Sequence, residues 1–319
     1  MLVQILILLG GLLLIIFGAD YLVDGASAIA RRLRVSEFVI GLTIVGMGTS
    51  APELVVSLVG AFEGNADIAV GNVVGSNIFN TLLILGVTAL LMPIAITPVN
   101  RKADIPMNLA ATVLTLGLGM SATLLHVGDN MLGRIDALIL LVVFAGYMAF
   151  SWIHGKQEED AQAPEKEIKI WLAVLMVLGG LAALIAGGRF FVNAATRIAQ
   201  MLGVSDKFIA ITILAGGTSA PELATCIVAA VKKKGQLALG NILGSNIFNL
   251  LLILGCSAMV TPLSFGSLDI ADALVLLGSL LLLGLTLFTG KKNQIDRWEG
   301  GILLLAWLGY MAWLIYGIL

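Results

Sequence analysis

Long apolar runs separated by short charged stretches set the pattern of this chain. A bilayer core needs roughly 20 residues of helix per crossing. Ten runs meet that length approximately: residues 2–29, 37–62, 67–92, 105–125, 132–153, 169–198, 207–231, 236–260, 269–289 and 300–318. The predicted fold class is an all-α polytopic membrane protein with about ten transmembrane helices. The first run, MLVQILILLGGLLLIIFGAD, has no basic segment ahead of it, and its helical pattern continues to Arg31. It is expected to be a retained span rather than a cleaved leader. One hydrophilic stretch stands out, HGKQEEDAQAPEKEI at residues 154–168. It is acidic, contains Pro164 and lies near mid-chain, so it is expected to link two halves, 1–153 and 169–319.

The two halves repeat each other. GTSAPELVVSLVGAFEGNADIAVGNVVGSNIFN, from Gly48 to Asn80, returns as GTSAPELATCIVAAVKKKGQLALGNILGSNIFN, from Gly217 to Asn249. The match extends without gaps from Gly18–Gly86 to Gly187–Gly255, at a constant offset of 169 residues. Five spans per half is an odd number, so the second half enters the membrane from the opposite side. Two inverted five-helix repeats are expected.

Charge tests that reading. One set of alternate loops collects Arg31, Arg32, Arg34, Arg101, Lys102, Lys156, Lys166, Lys169, Lys232, Lys233, Lys234, Lys291, Lys292 and Arg297. The other keeps Arg134, Arg197 and Lys207, with Arg189 near a span end. Positive residues accumulate on the cytoplasmic side. The linker is therefore expected in the cytoplasm and both termini outside a cell (inner) membrane. Composition agrees: 59% of the 319 residues are hydrophobic and only 12% charged, against about 25% charged in a soluble domain. A net charge of −2 makes no case for nucleic-acid binding. Cys226 and Cys256 lie in apolar runs and are expected as buried thiols, not a disulfide. With only His126 and His154 available, a structural zinc site has almost no ligands. No cofactor is expected.

The chemistry sits in the repeated motifs. Glu53 and Glu222 fall near the middle of predicted spans, where an ionisable side chain costs several kcal/mol and usually serves a pathway. Pro52 and Pro221 cannot donate to the helix ladder and displace the carbonyls of Gly48 and Gly217. Released mid-membrane carbonyls need another partner, and a cation is a suitable one. Thr49 and Ser50 share a helix face with Glu53, as Thr218 and Ser219 do with Glu222. In the next span Asn72, Ser76 and Asn80 form a polar stripe at a spacing of four, matched by Asn241, Ser245 and Asn249. Ser76, Asn80, Ser245 and Asn249 are candidate ligands. Asn72, Asn77, Asn241 and Asn246 divide evenly between ligation and interhelical hydrogen bonding. Gly71, Gly75, Gly240 and Gly244 permit close backbone approach. The donor set is all oxygen, which suits hard cations such as Ca²⁺ and Na⁺ over copper, zinc or iron, and Mg²⁺ dehydrates too reluctantly to be favoured.

These motifs resemble the α-repeats of the calcium/cation antiporter superfamily, specifically its sodium/calcium exchanger branch. G-T-S-x-P-E in the second span of each half and G-N-x-x-G-S-N in the third are its signature. The resemblance implies ion sites between spans 2, 3, 7 and 8, and movement of spans 1 and 6 against that core. It implies that Glu53 and Glu222 are central Ca²⁺ ligands shared with Na⁺, and that Thr49 and Thr218 contribute carbonyls. Ser50, Ser76, Ser219 and Ser245 would line Na⁺ positions, with Asn80 and Asn249 completing the ring. Many relatives carry Asp where this chain has Asn249, so this site has only two formal negative charges. The calcium/proton branch typically has an acid at the position of Gly75 or Gly244, which favours Na⁺ coupling here. Ca²⁺ and Na⁺ are thus expected as transported substrates. Ca²⁺/H⁺ exchange is the alternative, followed by a cation channel; an intramembrane enzyme lacks a nucleophile–base pair, metal cluster or phosphate loop.

Other polar residues have plainer readings. Asp20 and Asp24 are expected to solvate a helix end. Glu63 and Asp67 face an outside loop. Lys232, Lys233 and Lys234 are expected to fix topology and touch anionic lipid. The five tryptophans, Trp152, Trp171, Trp298, Trp307 and Trp313, fall mostly near span ends as interface anchors.

Overall fold

A computed structural model describes residues 1–126, 128–155, 168–203, 216–266, 268–291 and 293–316. The chain is helical almost throughout. Helix α1 spans Leu2–Leu33, α2 Glu37–Thr49, α3 Ala51–Phe62 and α4 Ala66–Leu91. Helix α5 spans Ile105–Gly119 and α6 Arg134–His154. In the second half α7 spans Ile170–Met201, α8 Ala220–Val231, α9 Gly235–Val260, α10 Ile270–Leu285 and α11 Arg297–Tyr316. Six of these, α1, α4, α6, α7, α9 and α11, are long and apolar enough to cross a membrane. The bent pair α2–α3 makes a seventh, and α8 and α10 are shorter apolar helices.

Most span edges fall within a few residues of expectation, and the deviations have local causes. Helix α1 runs on to Leu33 because Arg31 and Arg32 sit favourably at its negative C-terminal end. Arg34 then closes it in the left-handed conformation at φ 56°. Ser36 caps α2 by accepting from the Val39 amide at 3.3 Å. Of the expected linker 154–168, residues 156–167 lie outside the described residues, as do Lys207, Lys292 and the first part of the expected span 207–231.

Burial sorts the helices into a centre and a shell. The most apolar stretch of α9 is 94% buried and that of α4 72%, against 17–28% for α1, α6, α7 and α11. Helices α4 and α9, which carry the two G-N-x-x-G-S-N motifs, are therefore the core. Gly240 and Gly244 bring α9 against Phe38 and Leu42 of α2, where an added Cβ would meet backbone. Among the described residues nothing lies within 4 Å of a Cβ on Gly71 or Gly75; at the repeat offset the counterparts of Phe38 and Leu42 are Lys207 and Ile211, which lie outside the described residues. Trp307 packs edge-on against Phe79 of α4 at 6.0 Å instead of anchoring at an interface.

Helices α1 and α7 share a long antiparallel seam that the sequence reading did not anticipate. Gly11 faces Gly187, Gly18 faces Gly180 and Gly25 faces Ala173. A Cβ on Gly18 would lie 2.9 Å from the Gly180 carbonyl oxygen, and one on Gly180 2.7 Å from that of Gly18. Glycines every seventh position keep one narrow face free of side chains, which lets the two backbones touch.

Two small antiparallel ladders lace the halves together. β1 (Ile94–Ala95) pairs with β4 (Gln294–Ile295), and β2 (Met131–Leu132) pairs with β3 (Leu263–Ser264). In each ladder one strand comes from each half, and Ile94 and Leu263 are equivalent at the repeat offset.

The seam makes a direct prediction. Gly18→Leu or Gly180→Leu should destabilise the protein by about 1–3 kcal/mol or more through overpacking. Gly10→Leu, where nothing lies within 4 Å, should be neutral. Thermal unfolding and monodispersity in detergent report both.

Candidate functional site

Both GTSAPE motifs start a new helix after their serine. The helix breaks at Ser50, with φ −83° and ψ 10°, and Ser219 has the same backbone conformation, φ −87° and ψ 7°, directly before α8. Pro52 and Pro221 then stand in the first turn of α3 and α8, where a missing N–H costs nothing. The bend between α2 and α3 is 48°. Glu53 and Glu222 lie in those same first turns, within reach of the positive helix N-termini. Both are buried, at 1% exposure each.

The two motifs clasp each other. Ser50 Oγ donates to Glu222 Oε1 at 2.8 Å, and Ser219 Oγ donates to Glu53 Oε1 at 3.1 Å. These bonds exchange under the repeat offset. Ser76 Oγ of α4 also reaches Glu53 Oε1, at 3.4 Å, and lies 3.3 Å from Ser219 Oγ. Thr218 approaches Glu53, and Thr49 approaches Glu222. The other oxygen of each glutamate, Oε2, is buried without a hydrogen-bond partner among the described residues.

The core helices contribute a second reciprocal set. Asn80 Nδ2 donates to Asn246 Oδ1 at 3.2 Å, and Asn249 Nδ2 donates to Asn77 Oδ1 at 2.9 Å. Asn77 Nδ2 in turn donates to the Asn246 carbonyl at 3.1 Å, and Asn246 Nδ2 to Thr81 Oγ1 at 2.9 Å. Fixing the nitrogen of Asn80 and of Asn249 fixes where the oxygen points. Both Oδ1 atoms are buried and unpaired among the described residues. Asn80 and Asn249 each occupy the second position of a π-helical turn, Phe79–Ile84 and Phe248–Ile253. Such turns recur at functional sites because they re-aim side chains.

The remaining candidates separate. Thr49 Oγ1 donates to Asn241 Oδ1 at 3.1 Å, so its hydroxyl is engaged between helices. Ser245 does not mirror Ser76: its Oγ donates to the Gly46 carbonyl at 3.4 Å. The close packing of Gly244 on Leu42 brings the α2 backbone there first. Asn72 and Asn241 are interhelical ties, Asn72 to the Glu53 carbonyl and Ser57 Oγ, and Asn241 to Cys226 Sγ. Asp20 and Asp24 do not merely solvate a helix end. Lys232 Nζ lies 2.7 Å from Asp20 Oδ1 and 2.6 Å from Asp24 Oδ1, so that lysine is held by protein carboxylates. Lys234 likewise reaches Glu37 at 3.0 Å. The spacing of four between Asp20 and Asp24 was the available signal.

Four oxygens of the candidate residues are buried without a hydrogen-bond partner among the described residues: Glu53 Oε2, Glu222 Oε2, Asn80 Oδ1 and Asn249 Oδ1. An unpaired buried acceptor costs about 1–3 kcal/mol. Among the described residues no ion pair reaches either glutamate, and no group of three or more His, Cys, Asp and Glu converges anywhere. Oxygen acceptors without thiolate or imidazole suit a hard cation.

A model of the sodium/calcium exchanger protein family matches residues 3–153 and 172–316. The chain belongs to the sodium/calcium exchanger family. Among curated proteins of that likeness, a putative antiporter, CaxA, of Alkalimonas amylolytica is 41% identical over 97% of this chain and 98% of its own. The sodium/calcium exchanger MaX1 of Methanosarcina acetivorans is 34% identical over 98% and 99%. The inner membrane protein YrbG of Escherichia coli is 32% identical over 98% of both chains. A solved structure of the sodium–calcium exchanger NCX_Mj, soaked with Na⁺ and Sr²⁺, superposes with a TM-score of 0.83 at 31% identity over 98% of each chain. This exchanger-family chain is an integral membrane protein.

The asparagine brace is testable on its own. Asn77→Ala strips the acceptor from Asn249 Nδ2 and should lower stability by about 1–3 kcal/mol. Asn65→Ala, at an exposed cap without a side-chain bond, should change it little. A shift in thermal midpoint for the first variant alone is the expected result.

Proposed function

We propose that this protein exchanges Ca²⁺ for Na⁺ across the membrane by alternating access. The observation that carries the reading is the set of four buried, acceptor-only oxygens on Glu53, Glu222, Asn80 and Asn249. Ca²⁺ takes six to eight oxygen ligands at about 2.3–2.6 Å. Two carboxylates balance its charge. Ser50, Ser76, Ser219 and Ser245 hydroxyls and the Thr49 and Thr218 carbonyls supply further oxygens for Ca²⁺ or for several Na⁺. The two loads compete for one set of charges, which makes them exchangeable. An empty site leaves two carboxylates facing a low-dielectric barrier. Loading with either ion masks them, so rearrangement follows loading, and exchange becomes obligatory.

The reading includes ten crossings in two inverted five-helix repeats, with the 154–168 linker in the cytoplasm and both termini outside. Reciprocity of contacts supports it: the Ser–Glu bonds, the Asn–Asn bonds and the Gly11–Gly187 and Gly18–Gly180 contacts of the seam each occur as pairs exchanged by the repeat. A site built by two such halves presents equivalent faces to the two sides of the membrane.

Flux into proteoliposomes separates the possibilities. An outward Na⁺ gradient should drive Ca²⁺ uptake, and Glu53→Gln or Glu222→Gln should cut the rate at least about tenfold, the loss of one ion–carboxylate contact worth ~1.4 kcal/mol or more. Uptake driven by a pH gradient without Na⁺ would transfer the coupling to protons. Ca²⁺ current without any counter-ion would make the protein a channel.

A further inference from the structure

The Asp20–Asp24–Lys232 cluster plays no part in the cation site, yet it joins two functionally distinct parts of the bundle. Asp20 and Asp24 belong to α1, one half of the glycine seam. Lys232 ends α8, the helix that begins with Glu222. Its Nζ is held by both carboxylates and by the Asp20 carbonyl at 3.1 Å.

The repeat gives this clasp a counterpart with the charges reversed. At the offset of 169 residues, Asp20 corresponds to Arg189, Asp24 to Asn193 and Lys232 to Glu63. Arg189 lies on α7, the other half of the seam, and Glu63 ends α3, the helix that begins with Glu53. An acid on the seam and a base on the core in one copy become a base on the seam and an acid on the core in the other. Complementarity is kept although the signs of Asp20 and Lys232 both change, while Asp24 is replaced by the neutral Asn193.

Only one of the two clasps is made in this structure. Lys232 is paired, while Glu63 and Arg189 are both exposed and form no ion pair among the described residues. Packing follows the same division: α1 lies along α8, and α7 makes no comparable contact with α3. The clasps also sit at different levels. Gly25 near Asp24 faces Ala173, whereas Gly187 near Arg189 faces Gly11. Along the seam that separates them by roughly 20 Å, at 1.5 Å per residue.

Resting on the exchange reading above, we propose that these are two mutually exclusive latches. Asp20/Asp24–Lys232 holds the α1–α7 pair against the core at one face of the membrane, and Arg189–Glu63 holds it at the other. The side chains of Asp20 and Asp24 are 50% and 44% exposed, so the closed latch is a bias that thermal motion can undo, not a lock. Each latch stabilises the state closed at its own face and thereby sets how often the site opens there.

Oriented vesicles read this out as half-saturating Ca²⁺ at each face. Apparent affinity scales with the population of the competent state. Lys232→Gln should lower half-saturating Ca²⁺ at the Lys232 face and raise it at the Glu63 face, by about two- to tenfold. Arg189→Gln should do the opposite. The charge-swapped Asp24→Lys/Lys232→Asp pair should move both values back towards wild type. Shifts in the same direction for Lys232→Gln and Arg189→Gln, or no shift while wild type exchanges, would overturn the proposal. A transport-independent arm uses the cysteine pairs Asp24→Cys/Lys232→Cys and Glu63→Cys/Arg189→Cys in one chain, with cross-links read by mass spectrometry. Closing either bond should suppress the other. Both bonds forming fully in one molecule would overturn the latches even if wild type carried no Ca²⁺ flux, a failure that would count against the exchange reading instead.

Discussion

Two carboxylates buried between helices, with no ion pair at either among the described residues, are the constraint around which this molecule is arranged. A membrane interior punishes an unmatched charge, so each glutamate must be surrounded by groups that tolerate it. One oxygen of each is tied by a serine from the opposite motif. The other is left as an acceptor with no donor among the described residues. The helix starts after Ser50 and Ser219, the prolines that fit there, and the positive helix ends beside the glutamates all follow from having to hold that pair.

Holding it symmetrically demands close backbone contact. Gly240 and Gly244 seat α9 on α2, and the seven-residue glycine rhythm of α1 and α7 seats those helices on each other. The result is a core of α4 and α9 flanked by a seam that touches it differently at its two ends. That difference is expressed in charge: a closed clasp at Lys232 and an unmade one at Glu63.

Much of this was legible in the chain. The glutamates, their serines and the helix breaks follow from GTSAPE because proline position and helical spacing are local properties. The role of Asn80 and Asn249 was legible only in part. A spacing of four placed them on the stripe with Ser76 and Ser245, but the π-helical turns at Phe79–Ile84 and Phe248–Ile253 rotate them onto the opposite core helix. No residue type announces such a turn. Ser245 departs from Ser76 as well, since its neighbour Gly244 admits the α2 backbone and Ser245 Oγ donates to the Gly46 carbonyl there. The Lys232 clasp was hidden because its partners lie more than 200 positions away on α1. In sequence a three-lysine run looks like a topology signal.

The central claim is that one set of buried oxygens serves both ions. Equilibrium Ca²⁺ binding to the purified protein, titrated calorimetrically at increasing Na⁺ with K⁺ held as the balancing salt, tests it most directly. The account predicts that Na⁺ weakens Ca²⁺ binding competitively and more steeply than one-for-one, and that Glu53→Gln and Glu222→Gln each abolish the Na⁺-sensitive binding. Ca²⁺ binding that is indifferent to Na⁺, or that survives both substitutions, would contradict it.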